Sequence, residues 1–207
     1  MRLLETGVAP QNKVADFDAK TDFILVNSIL CSKDSVAIDT VETLLGGYQL
    51  DSIPLLESAF RDGIGINKPA YVDLKGFDAF TNHKQWLREH YPGCGAGSYP
   101  LENGWGNAKT QDNFNAPVDV TVTCKKAGTV CVFDYKASEP TPCNHKLARI
   151  DLLVNETVIE RIFDSLTGGR VTVNLEKYRN QKILYRIAVW DMALNCTLSD
   201  EKEFMVD

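Results

Sequence analysis

Pro117-Val118-Asp119-Val120-Thr121-Val122-Thr123-Cys124-Lys125-Lys126-Ala127-Gly128-Thr129-Val130-Cys131-Val132-Phe133-Asp134-Tyr135 decides the fold. Val118, Val120 and Val122 occupy alternate positions, the period of a strand with one covered face. Ala127-Gly128 then supplies a turn, and Thr129 to Tyr135 reads as a second strand. The pattern continues. Leu147 to Val154, Val158 to Phe163, Arg170 to Leu175, Ile183 to Asp191 and Lys202 to Val206 read as further short strands. Asn155-Glu156, Gly168-Gly169 and Asn180-Gln181 are the turns between them. About seven short strands in about ninety residues is the count of a two-sheet antiparallel sandwich.

Upstream of residue 115 the pattern changes. Phe23-Ile24-Leu25-Val26-Asn27-Ser28-Ile29-Leu30, within the run Asp22–Cys31, is almost continuously apolar and reads as a strand covered on both faces. Ser32-Lys33-Asp34-Ser35 offers N-cap oxygens for a first helix, whose stripe is Val36, Ala37, Val41, Leu44 and Leu45. Gly46-Gly47 ends it. Ser52 caps a second helix with Pro54 in its first turn and Leu55, Leu56, Ala59 and Phe60 inward; Gly63 or Gly65 closes it. Ala70 to Leu74 alternates and reads as a strand. Asn82 caps a third helix that runs through His90, with Trp86 and Leu87 inward, and Pro92 stops it.

The chain therefore divides into a small, partial α/β domain over residues 1–91, a Gly/Pro-rich linker over 92–116 and an all-β, immunoglobulin-like sandwich over 117–207. Residues 1–21 read as irregular. One buried strand, two helices and one further strand are too little for a doubly wound sheet, so the edge of the strand at 23–30 is expected to be covered by residues 1–21 and 78–115, or by another chain.

Composition sets the broad class. The 207 residues carry a net charge of −6, with 44% hydrophobic and 24% charged residues, ordinary for a globular protein. The acidic balance argues against nucleic acid as the main partner. No apolar run approaches the roughly 20 residues of a membrane helix. Met1-Arg2-Leu3-Leu4-Glu5-Thr6 lacks the apolar stretch of a secretory signal, so the chain is expected to be cytoplasmic, processed or part of something longer.

Cysteine usage bears on that choice. None of Cys31, Cys94, Cys124, Cys131, Cys143 and Cys196 forms a C-x-x-C pair, and four of the six fall in the sandwich. Such clustering points to disulfides and an extracytoplasmic setting, periplasmic or cell-surface; the competing reading is small core residues in a reducing cell. In an immunoglobulin-like topology the loop before the third strand and the loop after the sixth share one end, which predicts a Cys143–Cys196 disulfide. Cys124 and Cys131 flank the first hairpin and are a second candidate pair.

Candidate chemistry is thin. Tyr91 to Gly106 is rich in glycine and proline but lacks the spacing of a phosphate loop. Cys94, with His83 or His90 as base, is the candidate nucleophile; the alternative is a loop cysteine and two surface histidines. His83, His90 and Cys94 are also a conceivable metal set. Asp34 and Asp39 are candidate carboxylates, against the alternative of a helix cap and a solvated side chain. Asp191 and Asn195 have the chemistry for calcium but also for bonding their own turn. Tyr99, Trp105 and Trp190 are candidates for a carbohydrate face, although Trp190 sits in a strand and reads as core. No cofactor is called for.

Ser32-Lys33-Asp34-Ser35-Val36-Ala37-Ile38-Asp39, Gly47-Tyr48-Gln49-Leu50-Asp51-Ser52-Ile53-Pro54-Leu55-Leu56, Gly63-Ile64-Gly65 and Val72-Asp73-Leu74-Lys75-Gly76 resemble, in order, the closing segment of the family called domain of unknown function 362. The resemblance covers about residues 20–77. Some members carry ferredoxin-type cysteines; this chain has none at that spacing, and Ser35 stands where the family phrase has proline. The resemblance implies a fold fragment, and a domain that is longer upstream. Ala148-Arg149-Ile150-Asp151-Leu152-Leu153-Val154-Asn155 and Ala188-Val189-Trp190-Asp191-Met192-Ala193-Leu194-Asn195 resemble the hairpin and loop phrases of bacterial immunoglobulin-like domains, with Glu156 and Leu194 where those phrases carry glycine. Strand count, cysteine placement and the missing active-site constellation point to a non-catalytic extracytoplasmic binding or structural module with a protein or carbohydrate ligand. The alternative is a remnant or subunit of an enzyme of the first family, redox or metal linked.

Overall fold

The computed structural model describes residues 29–90, 99–100, 107–108, 118–139 and 145–207. The chain separates into two compact units, Met1–Phe114 and Asn115–Asp207. Each is described by itself.

In the first unit, α1 (Ser35–Leu45) starts at Asp34, whose carboxylate accepts the Ala37 amide. Val36, Ile38, Val41, Leu44 and Leu45 form its buried stripe. At its end the Gly47 amide donates to Leu44 and the Tyr48 amide to Thr43, with Gly47 at φ +78°, a close that a side chain would strain. Helix α2 (Pro54–Arg61) follows a 3-10 turn, Leu50–Ser52. Ser52 does not cap it. The Ser52 hydroxyl bonds back to the Gln49 carbonyl, and Ile53 stands at the N-cap. Only Leu56 of the expected apolar face is buried, whereas Leu55 is exposed.

Helix α3 (Phe77–His90) begins five residues before the expected Asn82, directly after Gly76 at φ +75°. Its inward positions are Phe80 and Lys84. The Lys84 stem is buried, with its ammonium 4.8 Å from the centre of the Phe80 ring. Trp86, expected inward, is 37% exposed.

Ala70–Leu74 is not a strand. Pro69 fixes a 3-10 turn, Pro69–Tyr71, and the segment beyond is extended without a ladder. The alternation is real, since Val72 is buried between exposed Tyr71 and Asp73, but it reflects an extended segment with one side covered. The strand expected at 23–30 lies almost wholly outside the described residues. The strands described in this unit are β1 (Tyr99–Pro100) and β2 (Asn107–Ala108), which pair antiparallel inside the stretch read as linker. Among the described residues the first unit thus holds three α-helices and one short antiparallel strand pair, and of the expected strands only the one at Ala70–Leu74 is corrected.

The second unit is an antiparallel two-sheet β-sandwich. Its strands are β3 (Val120–Ala127), β4 (Val130–Ala137), β5 (Leu147–Val154), β6 (Thr157–Ile162), β7 (Gly168–Asn174), β8 (Lys182–Asp191), β9 (Cys196–Leu198) and β10 (Lys202–Met205). One sheet has the order β3-β4-β7; the other has β10-β8-β5-β6, with β9 also on β8. Side chains from the two inner faces meet: Val122, Cys131, Phe133 and Tyr135 from the first sheet against Ile150, Leu152, Ile183, Tyr185 and Ile187 from the second. Phe133 and Tyr185 contact edge-to-face across the gap, centroids 5.4 Å apart, and Tyr185 continues to Phe204 at 5.5 Å. Each buried large side chain contributes about 1.5–3 kcal/mol, so this interior dominates the unit's stability.

Two details differ from expectation. Gly168-Gly169 is no turn: both residues open β7, opposite Lys136 and Tyr135. The reversal is made just before, with Ser165 at φ +54° and the Gly168 amide donating to its carbonyl. Gly169 is required for space, because a β-carbon there would lie 2.5 Å from the Tyr135 hydroxyl oxygen. Strand β9 was not expected at all.

Candidate functional site

The first unit holds a cleft of about 340 Å³, lined among others by Ile29, Cys31, Asp34, Ile66, Asp73 and Lys75. Its floor is the stripe Ala37, Ile38 and Val41 of α1, and its rim carries the exposed apolar side chains Ile29 and Tyr71. Asp34 is the structural hinge of this site. One carboxylate oxygen accepts the Ala37 amide at 3.0 Å, and the other accepts the Ile66 amide at 2.9 Å. The carboxylate therefore satisfies one orphan amide of α1 and fastens the loop after α2 to it. Thr40 adds a bond from its hydroxyl to the Ile66 carbonyl at 3.4 Å.

The loop is held from its other side by Asn67, buried, whose amide donates to the Leu56 carbonyl and to the Glu57 carboxylate. The Asn67 bond, with Lys68 beside it, holds the Glu57 carboxyl below its ordinary range. Asp73 and Lys75 face each other at 3.6 Å on the cleft's rim.

The sequence-selected residues fall as follows. Asp34 lines the cleft but spends both oxygens on amides. Asp39 is not part of the cleft lining, and its carbonyl accepts the Thr43 hydroxyl. The two carboxylates therefore do not converge on this cleft. His83 bonds the Ala79 carbonyl one turn back through Nδ1, at 2.8 Å. Cys94 lies outside the described residues, as do Trp105 and Cys143, and nothing is described of the side chains of His90 and Tyr99. Among the described residues no group of three or more His, Cys, Asp or Glu side chains is placed to hold a metal ion. No helix among them is long and apolar enough to cross a membrane.

In the sandwich, Asp191 and Asn195 turn on each other. One Asp191 oxygen accepts the Ala193 and Asn195 amides at 2.8 and 2.9 Å, and the other accepts the Asn195 side-chain amide at 2.8 Å. The carboxylate organises its own loop. Asp191→Ala removes three charge-assisted bonds and is expected to cost about 2 kcal/mol, read as a lowered melting temperature and faster amide exchange at residues 193 and 195.

Sequence reading missed a second polar cluster. Arg149 and Asp151 stand on the face of β5 turned away from the core, yet Arg149 is 0% exposed and Asp151 2%. Arg149 Nε donates to Asp151 at 3.1 Å, and its guanidinium lies 4.8 Å from the centre of the buried Trp190 ring. Arg161 approaches the other Asp151 oxygen at 3.6 Å. The signal was present: two opposite charges two residues apart in an otherwise apolar strand point to the same side. Trp190 is thereby fixed as part of this stack, and among the aromatic candidates it is no exposed platform.

No protein-family model and no curated protein matches the chain. Among solved structures, the chain is similar to the Clostridium thermocellum CbhA fibronectin(III)-like modules, at 17% identity and TM-score 0.33, over 43% of this chain and 97% of that one. It is similar to the Clostridium perfringens spore cortex lytic enzyme SleM at 12% identity and TM-score 0.32, over 50% of this chain and 34% of that one. A carbohydrate-binding module family 56 β-1,3-glucan binding domain aligns at 14% identity and TM-score 0.25, over 42% of this chain and 98% of that one.

Proposed function

We propose that this chain is a non-catalytic, extracytoplasmic binding or structural module, built on an immunoglobulin-type sandwich. The observation that carries the reading is where the polar side chains go. Asp34, Asp191 and Asn195 give their oxygens and amides to backbone and turn, and Arg149 Nε gives its hydrogen to Asp151. The two-sheet order β3-β4-β7 and β10-β8-β5 supports the sandwich type, with the fourth strand, β6, beside β5, whereas the seven-strand immunoglobulin plan places it with β3, β4 and β7. Glu156 and Leu194, standing where the bacterial immunoglobulin-like phrases carry glycine, have φ of +60° and +61°, the conformation glycine would be chosen for.

The test has two arms. Non-reducing peptide mapping of the chain recovered from an exported, oxidising setting is expected to yield a Cys143–Cys196 linked peptide; both cysteines alkylated as thiols would count against the extracytoplasmic assignment. Asp34→Asn keeps an acceptor at the cap. Turnover of any substrate that this variant loses while still melting like the parent would overturn the non-catalytic assignment.

The cleft at Cys31, Asp34 and Asp73 favours a second reading, because it falls inside the segment resembling domain of unknown function 362. On that reading the chain is a remnant or subunit of such an enzyme, and the same Asp34→Asn comparison separates the two.

A further inference from the structure

Cys124 and Cys131 lie on the inner face of the β3–β4 hairpin, in the sandwich alone. The register pairs Cys124 with Phe133 and Lys126 with Cys131, so the two cysteines are diagonal neighbours. Both carry free thiols. Cys131 is 0% exposed. Aromatic rings wall the site: Phe133 is buried beside it, and Tyr185 stands edge-to-face against Phe133.

The hairpin is latched to the far sheet at this end. Lys126 Nζ donates to the Met205 carbonyl at 2.9 Å, pairs with Asp207 at 3.4 Å and lies over the Phe204 ring. Lys202 Nζ donates to the Val122 carbonyl at 2.7 Å.

We propose that Cys124 and Cys131 form a redox couple gated by this hairpin: they join as a disulfide when a disulfide oxidant reaches the chain before the sandwich closes, and remain a dithiol once it has closed. Two physical facts supply the gate. Diagonal neighbours in a flat antiparallel pair have α-carbons about 7–8 Å apart, beyond the usual span of up to about 6.8 Å for a disulfide, so closure needs backbone movement that the latched hairpin resists. Burial also holds both thiols in the protonated form. It pushes Cys124 from 9.0 up to about 12 and raises Cys131 as well, and the thiolate is the species that attacks.

The chemistry balances with an oxidant of the small-disulfide class. One cysteine, deprotonated, attacks the oxidant's S–S bond, forming a mixed disulfide and expelling one thiolate. The second cysteine, deprotonated, attacks the protein sulfur of that mixed disulfide, forming the Cys124–Cys131 bond and expelling the second thiolate, which takes up a proton. Two protein thiols are oxidised by two electrons, and one disulfide is reduced to two thiols.

The test uses the whole reduced chain and oxidised glutathione as the probe. Samples are taken folded, and unfolded in urea then refolded in the oxidant; thiols are trapped by alkylation and peptides mapped without reduction. Lys125 and Lys126 separate the two cysteines, so trypsin yields a linked pair spanning residues 110–125 and 127–136. The linked pair is expected after oxidative refolding. In the folded chain Cys124 is expected to react at least about thirtyfold more slowly than exposed Cys31, since the lost thiolate fraction outweighs the gain in nucleophilicity. Lys126→Ala is expected to speed the folded reaction. Absence of the linked pair after oxidative refolding removes the couple. Oxidation of the folded parent as fast as Cys31, or a folded rate untouched by Lys126→Ala, removes the gate.

Discussion

Arg149→Ala is expected to take about 3–5 kcal/mol from the stability of the sandwich, the largest effect of any single substitution on its outer face. The cost comes from what is left behind. Asp151 is buried, and without Arg149 its carboxylate keeps, among the described residues, Arg161, 3.6 Å away and partly exposed, against the desolvation of a charge. The Trp190 ring also loses the guanidinium stacked on it. Urea unfolding followed by Trp190 fluorescence, and amide exchange over β5 and β8, report the loss. The double variant Arg149→Met with Asp151→Leu restores much of it, because a pair of apolar side chains leaves no charge stranded. A double variant that unfolds as readily as Arg149→Ala would mean that the stack, and not the ion pair, supports the sheet.

Gly65→Ala is expected to undo the first unit's cleft. A β-carbon at this position would lie 2.2 Å from the Asp34 carboxylate oxygen and 2.7–2.8 Å from Val36 side-chain carbons, closer than real contacts allow. Neither neighbour can yield: Asp34 is tied to two amides, and Val36 is in the buried stripe of α1. The loop must move away, which breaks the Ile66–Asp34 bond. Overpacking of about 1–3 kcal/mol plus a weakened cap of about 1 kcal/mol gives an expected loss of about 2–4 kcal/mol. Amide exchange over residues 35–45 and at Ile66 should accelerate, while β5 and β8 keep their protection. Unchanged exchange in α1 would show that the carboxylate does not hold the loop.

The sequence carried the sandwich far better than the helical unit, for a physical reason. A strand with one covered face writes its period directly into the chain, as Cys131, Phe133 and Tyr135 of β4 do; β5 is buried at every position, and Leu147 to Val154 was readable as an apolar-rich run between turns. Strand β9, three residues long, is too short to show a period. Gly168-Gly169 looked like a turn because paired glycines usually are; here the second glycine makes room for Tyr135. In the first unit the alternation at Ala70–Leu74 was genuine, but alternation reports burial and not the presence of a partner strand. For the candidate site, the Asp34 cap follows from local rules, whereas its bond to Ile66, 32 residues further on, is a product of the tertiary fold. The burial of Arg149 is likewise tertiary: its side was readable, its exclusion from water was not.

The pairing of β5 with β8 sets a timetable. Its partners range from Val154 with Tyr185 to Leu147 with Asp191, far apart along the chain, whereas β3 with β4 and β5 with β6 are joined by tight reversals. Hairpins of that kind assemble in microseconds, while distant pairings pay loop-closure entropy first and place such sandwiches in the millisecond-to-second range. Closure also waits for the final segment, since Val206 is fully buried and its backbone bonds to Asn180 and Gln181. An interval therefore separates early ribbons from the finished sandwich interior, and during it apolar faces and unpaired edges stand open to other copies. Refolding yield should accordingly fall as concentration rises.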